Sequence, residues 1–181
     1  MKNNLKLHLG CGEKHIKGFV NVDSRDLPTV DVVADAHCLS MFEPNSVDLI
    51  YCSHILEHFG RREYKEVLEH WISLLKDDGI LRLAVPDFEA ITQYYARTRD
   101  LSQVMGLLYG GQTYPENFHY CTWDFATLRK DLEDLGLTNI ERYDWRETEH
   151  AHIDDFSQAY LPHMDKENGY LMSLNVEGKK S

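Results

Sequence analysis

Short apolar runs rich in β-branched residues recur along the chain at 5–9 (LKLHL), 19–22 (FVNV), 30–34 (VDVVA), 47–52 (VDLIYC) and 80–85 (ILRLAV), most of them closed by Gly, Asp or Pro. Their length and composition predict strands. Between the fourth and fifth lies RREYKEVLEHWISLLKDDG, where Tyr64, Val67, Leu68, Trp71, Ile72 and Leu75 fall at the i, i+3, i+4 spacing of one helical face, with Gly79 soon after its end. Asp87 is placed to cap a second helix carrying Phe88, Ile91, Tyr94 and Tyr95. Asp124 is placed to cap a third carrying Phe125, Leu128, Leu132 and Leu135 before Gly136. Strands alternating with helices predict a parallel sheet. Two more strands are expected at 139–145 (NIERYDW) and 170–176 (YLMSLNV), separated by a polar, histidine-bearing stretch from 146 to 169. A stretch that long predicts a lid, a binding element or disorder. The region 100–123, with Gly110, Gly111 and the cluster NFHYCTW, reads as irregular.

Composition narrows what such a sheet could serve. The 181 residues, 43% of them hydrophobic, suit one domain spanning 1–181. With 30 acidic against 19 basic residues the formal charge is −11, which repels phosphate backbones and anionic lipid, so neither nucleic acid nor membrane is expected as a partner. The start MKNNLKLHLG has no apolar signal core and no run long enough to span a bilayer follows, which predicts a soluble, cytoplasmic protein. The four cysteines, at 11, 38, 52 and 121, show no Cys-x-x-Cys pair and read as reduced thiols.

In an open parallel sheet, ligands sit beyond the carboxyl ends of the strands, near the point where strand order reverses. Those ends carry Gly10-Cys11-Gly12, Asp23, Asp35, Ser53-His54 and Pro86-Asp87. Glycines let a backbone approach a ligand closely, and an acid closing the second strand can accept both hydroxyls of a ribose. An acid after the third strand can accept from an adenine amine. A nicotinamide cofactor fits less well, because G-x-G-x-x-G fails at His15 and the loop before the acid is short.

The segments LHLGCG, FVNVD, VVADAHCL, FEPNSVDLIYCSHILEHF and LLKDDGILRLAVPD, in that order and spacing, resemble the class I S-adenosylmethionine-dependent methyltransferases, especially small bacterial ones of the ubiquinone-methyltransferase type, over residues 5–145. The resemblance implies an α/β fold, a doubly wound, seven-stranded, mostly parallel Rossmann-like sheet with a C-terminal antiparallel strand pair. It also implies S-adenosylmethionine as cofactor and S-adenosylhomocysteine as product. Carried over, the cofactor site comprises Gly10, Cys11 and Gly12 at the methionine portion, Asp23 with Ser24 at the ribose, Asp35 with Ala36 and His37 at the adenine, and Ser53 with His54 toward the sulfonium. The chain departs from the pattern in having His8 where an acid is common and Lys14 where a third glycine is usual. Only eleven positions separate Gly12 from Asp23, so the first helix is expected to be shortened or missing.

For the acceptor side, histidine suits removal of a hydroxyl proton near neutral pH, and His119, His54 and His152 are the candidates. The loop motif EHAHIDDFSQAYLPH, with His150, Asp155 and His163, either lines a polar substrate pocket or stays solvated. Trp123 and Tyr120 beside His119 read as a pocket wall. HILEH, residues 54–58, matches the His-x-x-Glu-His spacing of some zinc peptidases, which keeps a metal-dependent hydrolase on His54, Glu57 and His58 as an alternative. The resembling methyltransferases often carry Leu-Glu-His here without metal, whereas a few metal-dependent members of the fold use this region plus one later histidine, for which His119 is the candidate. The preferred reading has no metal, with Glu57 and His58 capping or orienting the neighbouring helix. The ending SLNVEGKK resembles bacterial enzymes found near surface-glycan genes, implying a sugar or glycan precursor as the small-molecule acceptor and an O-methyltransferase acting as a monomer or homodimer. A non-catalytic binding module that keeps the fold is the other alternative.

Overall fold

The computed structural model describes residues 4–181. Five parallel strands come first: β1 (Lys6–Leu9), β2 (Val20–Asp23), β3 (Val32–Val33), β4 (Val47–Ser53) and β5 (Leu75–Pro86). Between the last two lies helix α1 (Tyr64–Leu74), which buries Val67, Leu68, Trp71 and Ile72. After β5 come α2 (Phe88–Thr98), the short α3 (Met105–Tyr109) and α4 (Phe125–Asp134), and then β6 (Leu137–Arg142). A two-residue pair, β7 (Tyr160–Leu161) with β8 (Tyr170–Leu171), precedes the final strand β9 (Ser173–Lys180). The main sheet has the order β3-β2-β1-β4-β5-β9-β6, and β9 alone runs against its neighbours. This is the expected seven-stranded, mostly parallel α/β sheet. Its strand order reverses between β1 and β4, which sets the ligand crevice above that pair.

The caps behave as the sequence predicts. Asp87 accepts the amides of Glu89 and Ala90 at the start of α2, and Asp124 accepts that of Thr127 at the start of α4, each such cap contributing about 1 kcal/mol. Gly136, at φ 89°, supplies the left-handed turn out of α4. One boundary differs. The helix over 61–79 stops at Leu74, because Leu75 already pairs with Val47 as the first residue of β5. Gly79 therefore sits in a bulged strand instead of closing the helix. The predicted strand at 170–176 also divides, since Met172 donates its amide to Ala159 and separates β8 from β9.

Alternation along the strands gives the sheet two unlike faces. One is apolar: Leu7, Leu9, Ile50, Cys52, Leu81, Leu83, Leu174 and Val176 pack with Trp71 of α1 and Leu128 and Leu132 of α4. Trp123 belongs to this core, edge-on to Tyr64 at 5.2 Å between centroids, and not to a pocket wall. The opposite face is polar. In register across five strands stand Asn21, His8, Tyr51, Arg82 and Glu177. No helix forms among residues 10–19, 24–31 or 34–46, so the first helix is missing, as expected, and this face has no helical cover from that part of the chain.

The stretch 144–169 covers it instead. His150, 1% exposed, lies on the Tyr51 ring at 4.0 Å, and Tyr51 donates its hydroxyl to Asp155 at 2.6 Å. Ile153 packs with Ile16, Phe19, Leu49 and Ile80. Ser157 accepts from Asn175 on β9 and donates to Asp155. The stretch is thus a structural strap, and the pocket reading of His150 and Asp155 does not hold: both are consumed in covering the sheet. No helix among the described residues is long and apolar enough to cross a membrane.

Candidate functional site

At the carboxyl end of β1 the chain reverses through Gly10 and Gly12, at φ 61° and 51°, a region that L side chains rarely adopt. The Gly12 amide donates to Asp23 Oδ2 at 2.7 Å, and Thr29 donates its hydroxyl to the Gly12 carbonyl at 2.6 Å, so the turn is tied to the end of β2 and the loop beyond it. Asp23, 6% exposed, also accepts the amide and the Nε of Arg25 on Oδ1 at 3.0 and 3.1 Å. Burial acts to raise the Asp23 carboxyl, but the Arg25 and Gly12 donors outweigh it and hold it below the usual carboxylate range. Between the glycines, Cys11 is buried, and its thiol is pushed up by burial to about 11, which makes it an inert filler. Ser24 is exposed beside Asp23.

After β3, Asp35 accepts the His37 amide at 2.9 Å in a local turn, and the Ala36 carbonyl accepts from Trp71 Nε1 at 2.7 Å, which anchors this loop on α1. Asp35 and His37 are exposed. At the end of β4, Ser53 Oγ is buried with no hydrogen-bond partner among the described residues.

The next residue, His54, is 7% exposed and held at φ 55°. Its Nε2 lies 3.2 Å from Ser173 Oγ, and the Phe156 ring covers it at 5.5 Å. Its Nδ1 faces Glu57 Oε1 at 3.1 Å. Residues 56–58 form a single 3-10 turn, so His54 and His58 do not share the continuous helical face that the zinc-peptidase spacing requires. Glu57 caps no helix either. It is fully buried, and neither carboxylate oxygen receives a hydrogen bond of usable geometry from the described residues, the approach of His54 notwithstanding. Burial raises the Glu57 carboxyl, and the surrounding His54, His58 and His119 together outweigh it and lower it. His119 reaches this cluster from the loop after α3, its Nε2 4.0 Å from Glu57 Oε1. Gly110 makes that approach possible, because a side chain there would strike Asn117 and crowd His119. Burial holds the His119 imidazole below its ordinary value.

The structure therefore gathers the glycine turn, Asp23, Asp35 and Ser53 along the carboxyl edge, and joins His54 and His119 through Glu57. It does not bring His152 to them: that residue is exposed on the strap, between His150 and Ile153, which point at the sheet face. Two residues that the sequence did not mark also belong here. Ile55 lies where a Cβ on Gly10 would fall, and the Arg25 guanidinium lies over Gly12 and reaches the Tyr114 ring at 5.8 Å. Neither stands in a motif whose spacing could have announced it.

Among solved structures, a SAM-dependent methyltransferase from Archaeoglobus fulgidus shares 16% identity over 99% of this chain and 87% of its own, with a TM-score of 0.59. The 1,6-didemethyltoxoflavin-N1-methyltransferase of Burkholderia thailandensis, solved with 1,6-didemethyltoxoflavin and S-adenosylhomocysteine bound, shares 14% over 99% of this chain and 72% of its own, with a TM-score of 0.60. At such identities the likeness speaks for the fold. No curated protein matches the chain. Residues 9–142 match the methyltransferase domain family, well over half of the sequence, and the protein belongs to that family.

Proposed function

We propose that the protein transfers a methyl group from S-adenosylmethionine to an oxygen of a small acceptor, a sugar or glycan precursor, and releases S-adenosylhomocysteine. The observation that carries this reading is the pairing of the Gly12 amide with Asp23 Oδ2 beside the β1/β4 crevice, which sets a buried carboxylate next to a half-buried left-handed turn. The residues present fit the cofactor. Asp23 uses three of its roughly four acceptor positions, and one goes to an Arg25 side chain that is half exposed and free to withdraw. A ribose diol takes that position, with Ser24 alongside. Asp35, Ala36 and His37 border the adenine, Gly10 and Cys11 the methionine portion, and the unpartnered Ser53 hydroxyl the sulfonium side.

The sulfonium supplies an activated methyl group, so the chain has to align the acceptor oxygen and take its proton. His54 or His119 serves that task, both being histidines gathered at Glu57. A binding-only module is the second reading, favoured by Ile55 and Arg25 lying over the glycine turn. Titration calorimetry separates the two. Binding of S-adenosylhomocysteine is expected, and Asp23→Ala should weaken it about 10- to 100-fold, from roughly 1.5–3 kcal/mol for a charged hydrogen bond. Absence of heat in the unmodified protein selects the binding-only module, and unchanged affinity in the variant moves the ribose away from Asp23. Methyl-labelled cofactor then tests the acceptor: label on a sugar hydroxyl is expected, and label on nitrogen or carbon refutes the oxygen assignment.

A further inference from the structure

Residues 111–117, between α3 and His119, fold onto themselves. The Gln112 amide donates to the Asn117 carbonyl at 2.8 Å and the Asn117 amide to the Tyr114 carbonyl at 3.0 Å. The Asn117 side chain accepts from the Gly111 amide and donates to Thr113. The Gln112 side chain donates to the Tyr109 carbonyl at the end of α3. Among the described residues no other hydrogen bond or ion pair joins this loop to the chain, and one ring contact carries it across to the strand ends: the Tyr114 ring, 44% exposed, faces the Arg25 guanidinium at 5.8 Å.

That guanidinium has two further neighbours. Its Nε donates to Asp23 Oδ1 at 3.1 Å, and its Nη2 lies 3.2 Å from the point that a Cβ on Gly12 would occupy. Arg25 thus bridges the acid closing β2, the glycine turn after β1 and the aromatic ring of the loop. Its ion pair and its ring contact are both of the weak, exposed kind. An aromatic face accepts a purine as readily as a guanidinium. A ligand that takes Asp23 from Arg25 therefore arrives where the arginine now meets the Tyr114 ring.

We propose that residues 111–117 form a lid on the cofactor site and that Tyr114 is a further cofactor-binding residue, its ring passing from the Arg25 guanidinium to the bound nucleoside. In the free chain Arg25 holds the lid over the glycine turn and stands in for the ligand. The proposal rests on the nucleoside reading of Asp23 and adds to it a wall that comes from the far side of the fold, on the same loop that leads into His119.

The test uses the full chain with S-adenosylhomocysteine. In calorimetry Tyr114→Ala should weaken binding about 5-fold or more, the lower end of what one aromatic face gives a base. Tyr114→Phe keeps the ring face and should stay within about 2-fold of the native affinity. Neither change should move the melting temperature, because the ring is half exposed. Proton NMR supplies a readout free of variants: nuclear Overhauser contacts should join the Tyr114 ring to the Arg25 side chain in the free chain, and to adenine or ribose protons in the complex. Binding without a contact between Tyr114 and the nucleoside, a Tyr114–Arg25 contact that persists in the complex, or unchanged affinity in Tyr114→Ala each overturns the lid and leaves the cofactor reading standing. Absence of binding by the native chain overturns both.

Discussion

In the proposed site, Arg25 and a ribose diol compete for the same oxygens of Asp23. The guanidinium holds Oδ1 through Nε, lies over Gly12 and leans on Tyr114, so a nucleoside bound as proposed would have to displace it. The cost is small, because the Arg25 side chain is half exposed and such pairs contribute about 0.2–1 kcal/mol. Arg25→Ala should therefore bind S-adenosylhomocysteine no more weakly than the native chain, and up to about five-fold more tightly. Calorimetry on the two proteins decides it: a marked loss of affinity would mean that the guanidinium stays and contacts the nucleoside. Ile55 is a different kind of occupant. Its side chain fills the space that the missing Cβ of Gly10 leaves, so the glycine is required by contact with the chain itself as well as by its φ of 61°. Position in the sequence placed Gly10, Gly12 and Asp23 at the ends of β1 and β2 because strand ends can be counted. Nothing in the local pattern could report that a side chain from the next loop lies on top of them.

The strap shows the same limit at the scale of an element. A stretch carrying His150, Asp155, Ser157 and Gln158 reads as a loop because polar residues normally seek water, yet all four are buried. They are polar because what they cover is polar: the row Asn21, His8, Tyr51, Arg82 and Glu177 needs hydrogen-bonding partners where an apolar helix would leave it unsatisfied. The strands, α1 and α4 were legible because their apolar spacing answers to the main core, and α2 because Ile91 and Tyr94 answer to a smaller cluster with Val104 and Met172, while the end of α1 was missed because a long-range pairing, Val47 with Leu75, overrides the local glycine signal. The strap makes stability depend on pH. Burial, with Arg82 adding to it, lowers the His150 imidazole from 6.5 to about 4 against the opposing pull of Asp155. A histidine depressed in the folded state stabilises fully above its unfolded pKa, and that contribution is lost as pH falls from about 6.5 toward 4. Between pH 7 and 5 the loss should be about 2 kcal/mol. His8 and His119 are shifted the same way and add to the total, so the measurement is a difference. Urea unfolding of the native chain and of His150→Phe at both pH values should show the variant losing about 2 kcal/mol less on acidification. Equal losses would place His150 outside the linkage.

For the molecule as a whole, the last strand is not peripheral. β9 enters between β5 and β6, paired with β5 from Ile80↔Lys179 to Pro86↔Ser173, and it is the sole partner of β6 among the described residues. Its Leu174 and Val176 complete the apolar core, while Ser173 and Asn175, on the other face, join the strap to His54. One strand therefore closes both faces and connects the structural half of the polar network to the candidate site. Contacts so distant in sequence return their energy only after long loops have closed, so the sheet cannot be finished until the final residues are in place. A chain ending at Leu171 should accordingly lack a cooperative urea transition and bind a hydrophobic dye, whereas Leu174→Ala, which keeps every strand pairing, should unfold cooperatively with about 2–5 kcal/mol less stability. If the shortened chain still unfolds in one sharp transition near the native midpoint, the preceding strands form a self-sufficient sheet, and the link from strap to His54 through β9 is dispensable to the fold.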